Sequence, residues 1–266
     1  MSHAIATWLL PIFFALIGIE LRSEITEGTF KKRRDLLIPL SAAAFGVLAP
    51  FLVYRIFVLS FGISSAGWGV VVATDLPLVL LALKMFRPHI QINLRPYLLS
   101  LAIFDDVISI LLIALVFHKN GVHPTVYGFF FGLVVPIRHE GKFFKNLEMI
   151  SNFLIIPLFV ITSVSENFVF KIGTLTIAVV ASRLIGKPLG IALGDFIGQK
   201  LVKSKILNLA QVLTVGFLAS LGLSVSLLFT QIIGAPSVVI TSIFVAIIFA
   251  LITIKISSKK FTMEDI

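Results

Sequence analysis

Residues 99–116 read LSLAIFDDVISILLIALV, an apolar run with Asp105 and Asp106 side by side at its middle. A charged side chain at the centre of a membrane helix costs roughly 2.5–3.5 kcal/mol on insertion scales. Two adjacent carboxylates therefore need partners elsewhere in the chain, or the run does not span a bilayer.

The remainder of the sequence favours a bilayer. Of 266 residues, 58% are hydrophobic and mean hydropathy is strongly positive, more apolar surface than one water-soluble core of this size could hide. Mainly apolar stretches, each about what a helix needs to cross ~30 Å of hydrocarbon, recur near 4–22, 36–57, 64–86, 94–117, 122–137, 149–167, 172–196, 206–229 and 236–256. These runs are continuous, whereas barrel strands would alternate apolar and polar residues. The expected fold is an all-α polytopic membrane protein of about nine transmembrane helices. The chain has no cysteine, which excludes disulfides and thiolate metal sites. The N-terminus, Met-Ser-His-Ala, lacks the basic region of a signal peptide.

The net charge of +9 is spread in a way that argues against a nucleic-acid surface. Basic residues cluster at alternate loops: Arg22 and Lys31 to Arg34; Lys84, Arg87 and Arg95; Arg138, Lys142 and Lys145; Lys200, Lys203 and Lys205; and Lys255, Lys259 and Lys260 in the tail. The intervening loops hold only Lys119 and Lys171. By the positive-inside rule the N-terminus lies outside and the C-terminus in the cytoplasm.

No linker or low-complexity tract interrupts the spans, so residues 1–266 read as one transmembrane domain. Spans two to four start from the cytoplasm and spans seven to nine from outside, which allows two inverted three-helix units, about 36–117 and 172–256. Inverted repeats place a site near the midplane where the central helix of each unit is broken. In the first unit VVATDLPLVL (71–80) sets Thr74 and Asp75 before Leu76-Pro77, and proline disfavours helix there. In the second, GFLASLGLSVSL (216–227) clusters Ser220, Gly222, Ser224 and Ser226 in mid-span.

The charges singled out inside the spans are Asp75, Asp105 and Asp106 in the first unit and Arg183 and Lys187 in the second, three acids facing two bases. Adjacent aspartates point about 100° apart on a helix, so Asp105 and Asp106 divide their labour. Carboxylate oxygens suit a hard cation such as Na⁺ or Li⁺. Buried and crowded carboxylates also take protons near neutral pH. A site that accepts either ion, opened alternately to two sides, meets the requirement of an antiporter. In SRLIGKPLGIALGDFIG (182–198), Ser182, Gly186, Gly190, Gly194 and Gly198 form a thin ridge that lets a second helix approach closely. Lys187 adjoins that ridge, and a Lys187–aspartate pair is expected to act as a proton-sensitive latch.

With ATDLPLVLLAL, LAIFDDVISILLIALVF, SRLIGKPLGI and GFLASLGLSVSLLF, and with FFALIGIELRSEITEG and GVHPTVYGFFFGLVVPI, the chain resembles the NhaA family of bacterial sodium/proton antiporters over nearly its whole length. The resemblance implies an inner-membrane protein with crossed discontinuous helices that exchanges sodium or lithium for protons, electrogenically and without a cofactor. It implies that Asp106 is the main cation ligand and proton carrier, with Asp105 its partner and the mate of Lys187. Asp75 and Lys187 would compensate the ends of the broken helices, with Thr74 and Ser224 at the breaks. Glu20, Glu24, His123 and Glu148 match positions linked to pH regulation.

Departures from the family accompany these matches. Members usually have twelve helices, whereas this chain begins at what resembles the second and lacks counterparts of the sixth and seventh. The hairpin that supports dimerisation in the family has no match, which leaves a homodimer open. Ser23 replaces a basic residue, and Met149 and Asn152 stand where histidines are common. Arg183 holds a normally apolar position one turn before Lys187, and is expected to stabilise the salt-bridged state and shift pH activation. The competing reading is a transport-inactive or regulatory paralogue. An enzyme with an intramembrane aspartyl dyad fits poorly, because its two acids should lie on different helices.

Overall fold

The computed structural model describes residues 2–27, 33–75, 79, 91–117, 124–135, 141–155, 157–158, 161, 170, 172–223, 226–227, 237 and 240–252. Among these residues every regular element is helical. The helices are α1 (Ser2–Glu27), α2 (Leu37–Phe61), α3 (Trp68–Val72), α4 (Gln91–Phe117), α5 (Pro124–Val134), α6 (Lys142–Ile150), α7 (Thr174–Ala181), α8 (Lys187–Val202), α9 (Leu209–Ala219) and α10 (Ile240–Ile252). Two continuous helical stretches, Arg34–Phe61 and Thr174–Val202, are long and apolar enough to cross a bilayer. The 27-residue α4 has the length as well, about 40 Å at 1.5 Å per residue. Parts of the spans expected near 64–86, 122–137, 149–167, 206–229 and 236–256 fall outside the described residues.

The burial pattern inverts that of a water-soluble protein. Asp75, Asp105, Asp106, Arg183 and Lys187 are buried, while Leu48, Leu52, Ile56, Leu189, Leu193 and Phe196 are exposed along α2 and α8. Exposed leucine and phenylalanine on long helices over a charged interior is the arrangement that hydrocarbon stabilises and water does not.

The chain packs as two compact units, Met1–Lys31 with Asp106–Glu166 and Lys32–Asp105 with Asn167–Ile266. In the first, α1 and α5 meet through glycines: a Cβ on Gly18 would strike the Phe129 carbonyl, and one on Gly128 or Gly132 would strike the main chain at Pro11 or Ala15. Arg22 donates to the Val135 carbonyl just past the end of α5, 2.7 Å away, where a helix C-terminus favours a cation. Leu16, Ile19 and Phe144 form a small apolar core that Leu147 covers.

In the second unit the glycine ridge lies against α2. A Cβ on Gly186 would meet Pro50, on Gly190 the Phe45 carbonyl and Ala49, on Gly194 Ser41 and Ala42, and on Gly198 Ser41 and Ile38. The approach is close enough for Ser41 Oγ to donate to the Gly194 carbonyl at 2.8 Å. α2 ends at Gly62, whose φ of 62° suits a residue without Cβ and whose N–H donates to the Val58 carbonyl at 3.0 Å. Tyr54 then ties the turn by donating to the Ser64 carbonyl at 2.6 Å.

This packing predicts the effect of Gly194→Leu. Four added carbons have no space between α8 and α2, and forcing extra methylenes into a packed interface costs about 1–3 kcal/mol. The thermal midpoint of the detergent-purified chain should fall clearly below wild type. Leu193→Ala, one residue away on the exposed side, should leave it nearly unchanged.

Candidate functional site

The second unit contains two helix interruptions that bond to each other. Helix α3 stops at Val72, and Ala73 turns to extended backbone with φ −65° and ψ 141°. Helical bonding resumes where Val79 N–H donates to the Asp75 carbonyl at 2.9 Å. The second interruption follows α9, whose end is closed by Ser220 N–H on the Gly216 carbonyl, with Leu227 N–H returning to the Leu223 carbonyl at 2.9 Å. Between the two, Asp75 N–H donates to the Leu221 carbonyl at 3.0 Å and Thr74 Oγ1 to the Ala219 carbonyl at 3.0 Å. Each broken segment thus satisfies main-chain groups that the other leaves open.

The carbonyls at the end of α3 are met by two cations from the long helical stretch 174–202. That stretch is not uniform, because residues Ser182–Gly186 form a wider π turn in which Lys187 N–H reaches back five residues to the Ser182 carbonyl. Such single-turn bulges often mark functional positions. Arg183 sits in the turn and Lys187 at its end, and both are fully buried.

Lys187 Nζ donates to the Val72 carbonyl, to Thr74 Oγ1 at 2.5 Å and to Asp105 Oδ2 at 3.1 Å. Its three protons therefore meet a helix end, the broken segment and α4. The Lys187–Asp105 ion pair is buried on both sides. Asp106, the next residue of α4, is 3% exposed.

Arg183 lies near enough to Asp105 and Asp75 to interact with them electrostatically, while its hydrogen bonds go to other groups. Its Nε and Nη2 donate to the Val70 carbonyl at 3.1 and 2.5 Å, its Nη1 to the Gly222 carbonyl at 2.7 Å, and its Nη2 also to Ser226 Oγ. The planar fork joins the end of α3 to the second interruption, a geometry that lysine could not supply. Ser220 locks the support from behind by donating to the Arg183 carbonyl at 2.7 Å.

Of the other residues singled out in the sequence, Glu20 on α1 and Glu148 on α6 lie near enough in the first unit to interact electrostatically. Glu24 is on α1, with its side chain outside the described atoms; His123, Ser224 and Pro77 fall outside the described residues.

Sequence reasoning missed one further buried charge. Asp195 of α8 is 4% exposed; its Oδ1 accepts from Tyr97 of α4 at 2.8 Å and its Oδ2 from Gln199 at 2.5 Å. Its place beside Gln199 and Lys200 suggests a solvated helix end. Its position beside the glycine ridge, directly after Gly194 as Lys187 directly follows Gly186, was the signal that it faces inward.

The family model described as Na⁺/H⁺ antiporter 1 matches residues 1–120 and 115–258. The chain is 27% identical to the Na(+)/H(+) antiporter NhaA of Pectobacterium atrosepticum, over 84% of this chain and 72% of that protein. It is 28% identical to the protein of the same name from Proteus mirabilis, over 82% and 71%. The Na(+)/H(+) antiporter NhaA 2 of Flavobacterium johnsoniae is 25% identical, over 85% and 71%.

Proposed function

The chain belongs to the Na⁺/H⁺ antiporter 1 family, and from that premise we propose that it exchanges Na⁺ or Li⁺ for protons across a bacterial inner membrane by alternating access. The observation that carries this reading is the buried Lys187–Asp105 pair, 3.1 Å apart, beside two interrupted helices that bond to each other. A buried ion pair contributes little net stability, so its presence here fits a switch better than a staple.

The carboxylates of α4 are the ion ligands, Asp106 foremost. When the site faces the cytoplasm, Asp106 and Lys187 give up protons, the latch to Asp105 opens, and one cation takes their place. Facing outward, the cation leaves and both groups are protonated again. Two titrating groups for one cation make the exchange electrogenic. Residues 36–117 and 172–256 form inverted repeats of a nine-span domain, with the broken helices crossing at Thr74, Asp75 and Ser224. Positive loops hold the C-terminus in the cytoplasm. Glu20, Glu24, His123 and Glu148 tune the pH response, and the exchanged ions are the only small ligands required.

Everted vesicles from a host stripped of its own exchangers test this. Added sodium should dequench a pH-gradient dye when the chain is present. No response at any pH would overturn exchange and favour a transport-inactive paralogue.

A further inference from the structure

The Tyr97–Asp195 bond joins the same two helices as the Lys187–Asp105 pair, and its placement is regular. Tyr97 precedes Asp105 by eight residues on α4, and Asp195 follows Lys187 by eight on α8. Contacts that run forward on one helix and backward on the other belong to antiparallel neighbours. The two links are rungs about 12 Å apart along each axis, at 1.5 Å per residue. The first rung is ionic, with its carboxylate on α4. The second joins a neutral hydroxyl to a carboxylate on α8.

The second rung is built to stay closed. Asp195 and Tyr97 are 4% and 1% exposed, and a carboxylate at that depth is costly unless its oxygens are hydrogen-bonded. Both oxygens are met by neutral donors, Tyr97 Oη and Gln199 Nε2. Gln199 also donates to the Leu207 carbonyl at 3.2 Å, which ties the connection leading into α9 to the same cluster. Among the described residues, the bond that the Tyr97 hydroxyl makes is this one, to Asp195 Oδ1.

We propose that Tyr97 and Asp195 are positioning residues, a second rung that fixes the register of α4 against α8 while the Lys187–Asp105 rung opens and closes. None of the groups in the second rung exchanges its partner with the ion. When the latch opens, residues 91–105 of α4 therefore pivot about Tyr97 and do not slide, and the Asp105 carboxylate returns to the same place opposite Lys187. This rests on the exchange proposed above.

The test compares wild type, Tyr97→Phe, Asp195→Leu, Asp195→Asn and the double variant Tyr97→Phe/Asp195→Leu in everted vesicles. The readouts are apparent KM for sodium and kcat, normalised to chain in the membrane, beside thermal midpoints of the purified proteins. Tyr97→Phe and Asp195→Leu should each raise KM about tenfold, which is the low end of what a hydrogen bond to a charged group is worth, with kcat little changed. The double variant should be no worse than either single. Asp195→Asn should stay near wild type in KM, since its amide oxygen still accepts from Tyr97 and only the bonds of Gln199 rearrange.

A Tyr97→Phe variant with wild-type KM would overturn the proposal, even if Asp195→Leu fails to accumulate. So would an Asp195→Asn variant as impaired as Asp195→Leu, because the charge and not the rung would then be acting. Lowered thermal midpoints with unchanged KM would mean that the pair only holds the fold, and would overturn positioning alone. A wild type without exchange would overturn the transport reading itself.

Discussion

Asp106→Asn will reduce sodium-driven dequenching by about a hundredfold, close to background, because about 3 kcal/mol of charge-assisted ligation is lost. Asparagine keeps the size of the side chain but can neither carry a proton at neutral pH nor offer a negative charge to a cation. The measurement is the sodium concentration dependence of dequenching, at equal amounts of chain per vesicle. Exchange within a few-fold of wild type would reassign the ion to Asp105. Asp105→Asn is expected to act mainly on stability. It leaves the buried Lys187 ammonium without its counter-charge, and breaking such a pair from one side costs about 3–5 kcal/mol. The two neighbouring substitutions should therefore separate, with transport lost at Asp106 and folded protein lost at Asp105.

Arg183→Leu will destabilise the chain by about 3 kcal/mol or more, since it strips charged donors from buried acceptors on two interrupted helices. The Val70 and Gly222 carbonyls and Ser226 Oγ all accept from this guanidinium. Arg183→Lys should recover only part of the loss, because an ammonium cannot present a flat fork to acceptors on opposite sides. The thermal midpoint of purified protein reads the structural effect. The pH profile of whatever accumulates in vesicles reads the regulatory one. An unchanged profile would remove Arg183 from pH control, and an unchanged midpoint would remove it from the support of the broken helices.

The residues that decide the site were legible because hydrocarbon leaves charged groups few places to go. Asp75, Asp105, Asp106, Arg183 and Lys187 stood out against apolar neighbours, and all five are buried. Proline after Asp75 and serine–glycine clustering after Ala219 marked the interruptions. Asp195 was illegible because it falls at the very end of the span expected over 172–196, shortly before Gln199 and Lys200, so composition alone did not distinguish a buried acid from a frayed helix end. The partners of Arg183 were also illegible: main-chain carbonyls have no letter in a sequence, and only the path of the backbone shows which ones lack a donor. The same holds for the π turn at Ser182–Gly186, which depends on bonding register and not on residue type. The close packing of Gly128 and Gly132 on α1 had a visible pattern, small residues four apart, but lay in a segment without charges to draw attention.

Where α8 meets α2, main chain touches main chain with almost no side chain between. Long side chains at a helix interface act as a soft bearing, since rotamer changes absorb small displacements. Glycines offer no such slack. Any tilt of the segment that carries Lys187 is transmitted undiminished to residues 37–61, and the pair behaves as a single stiff lever.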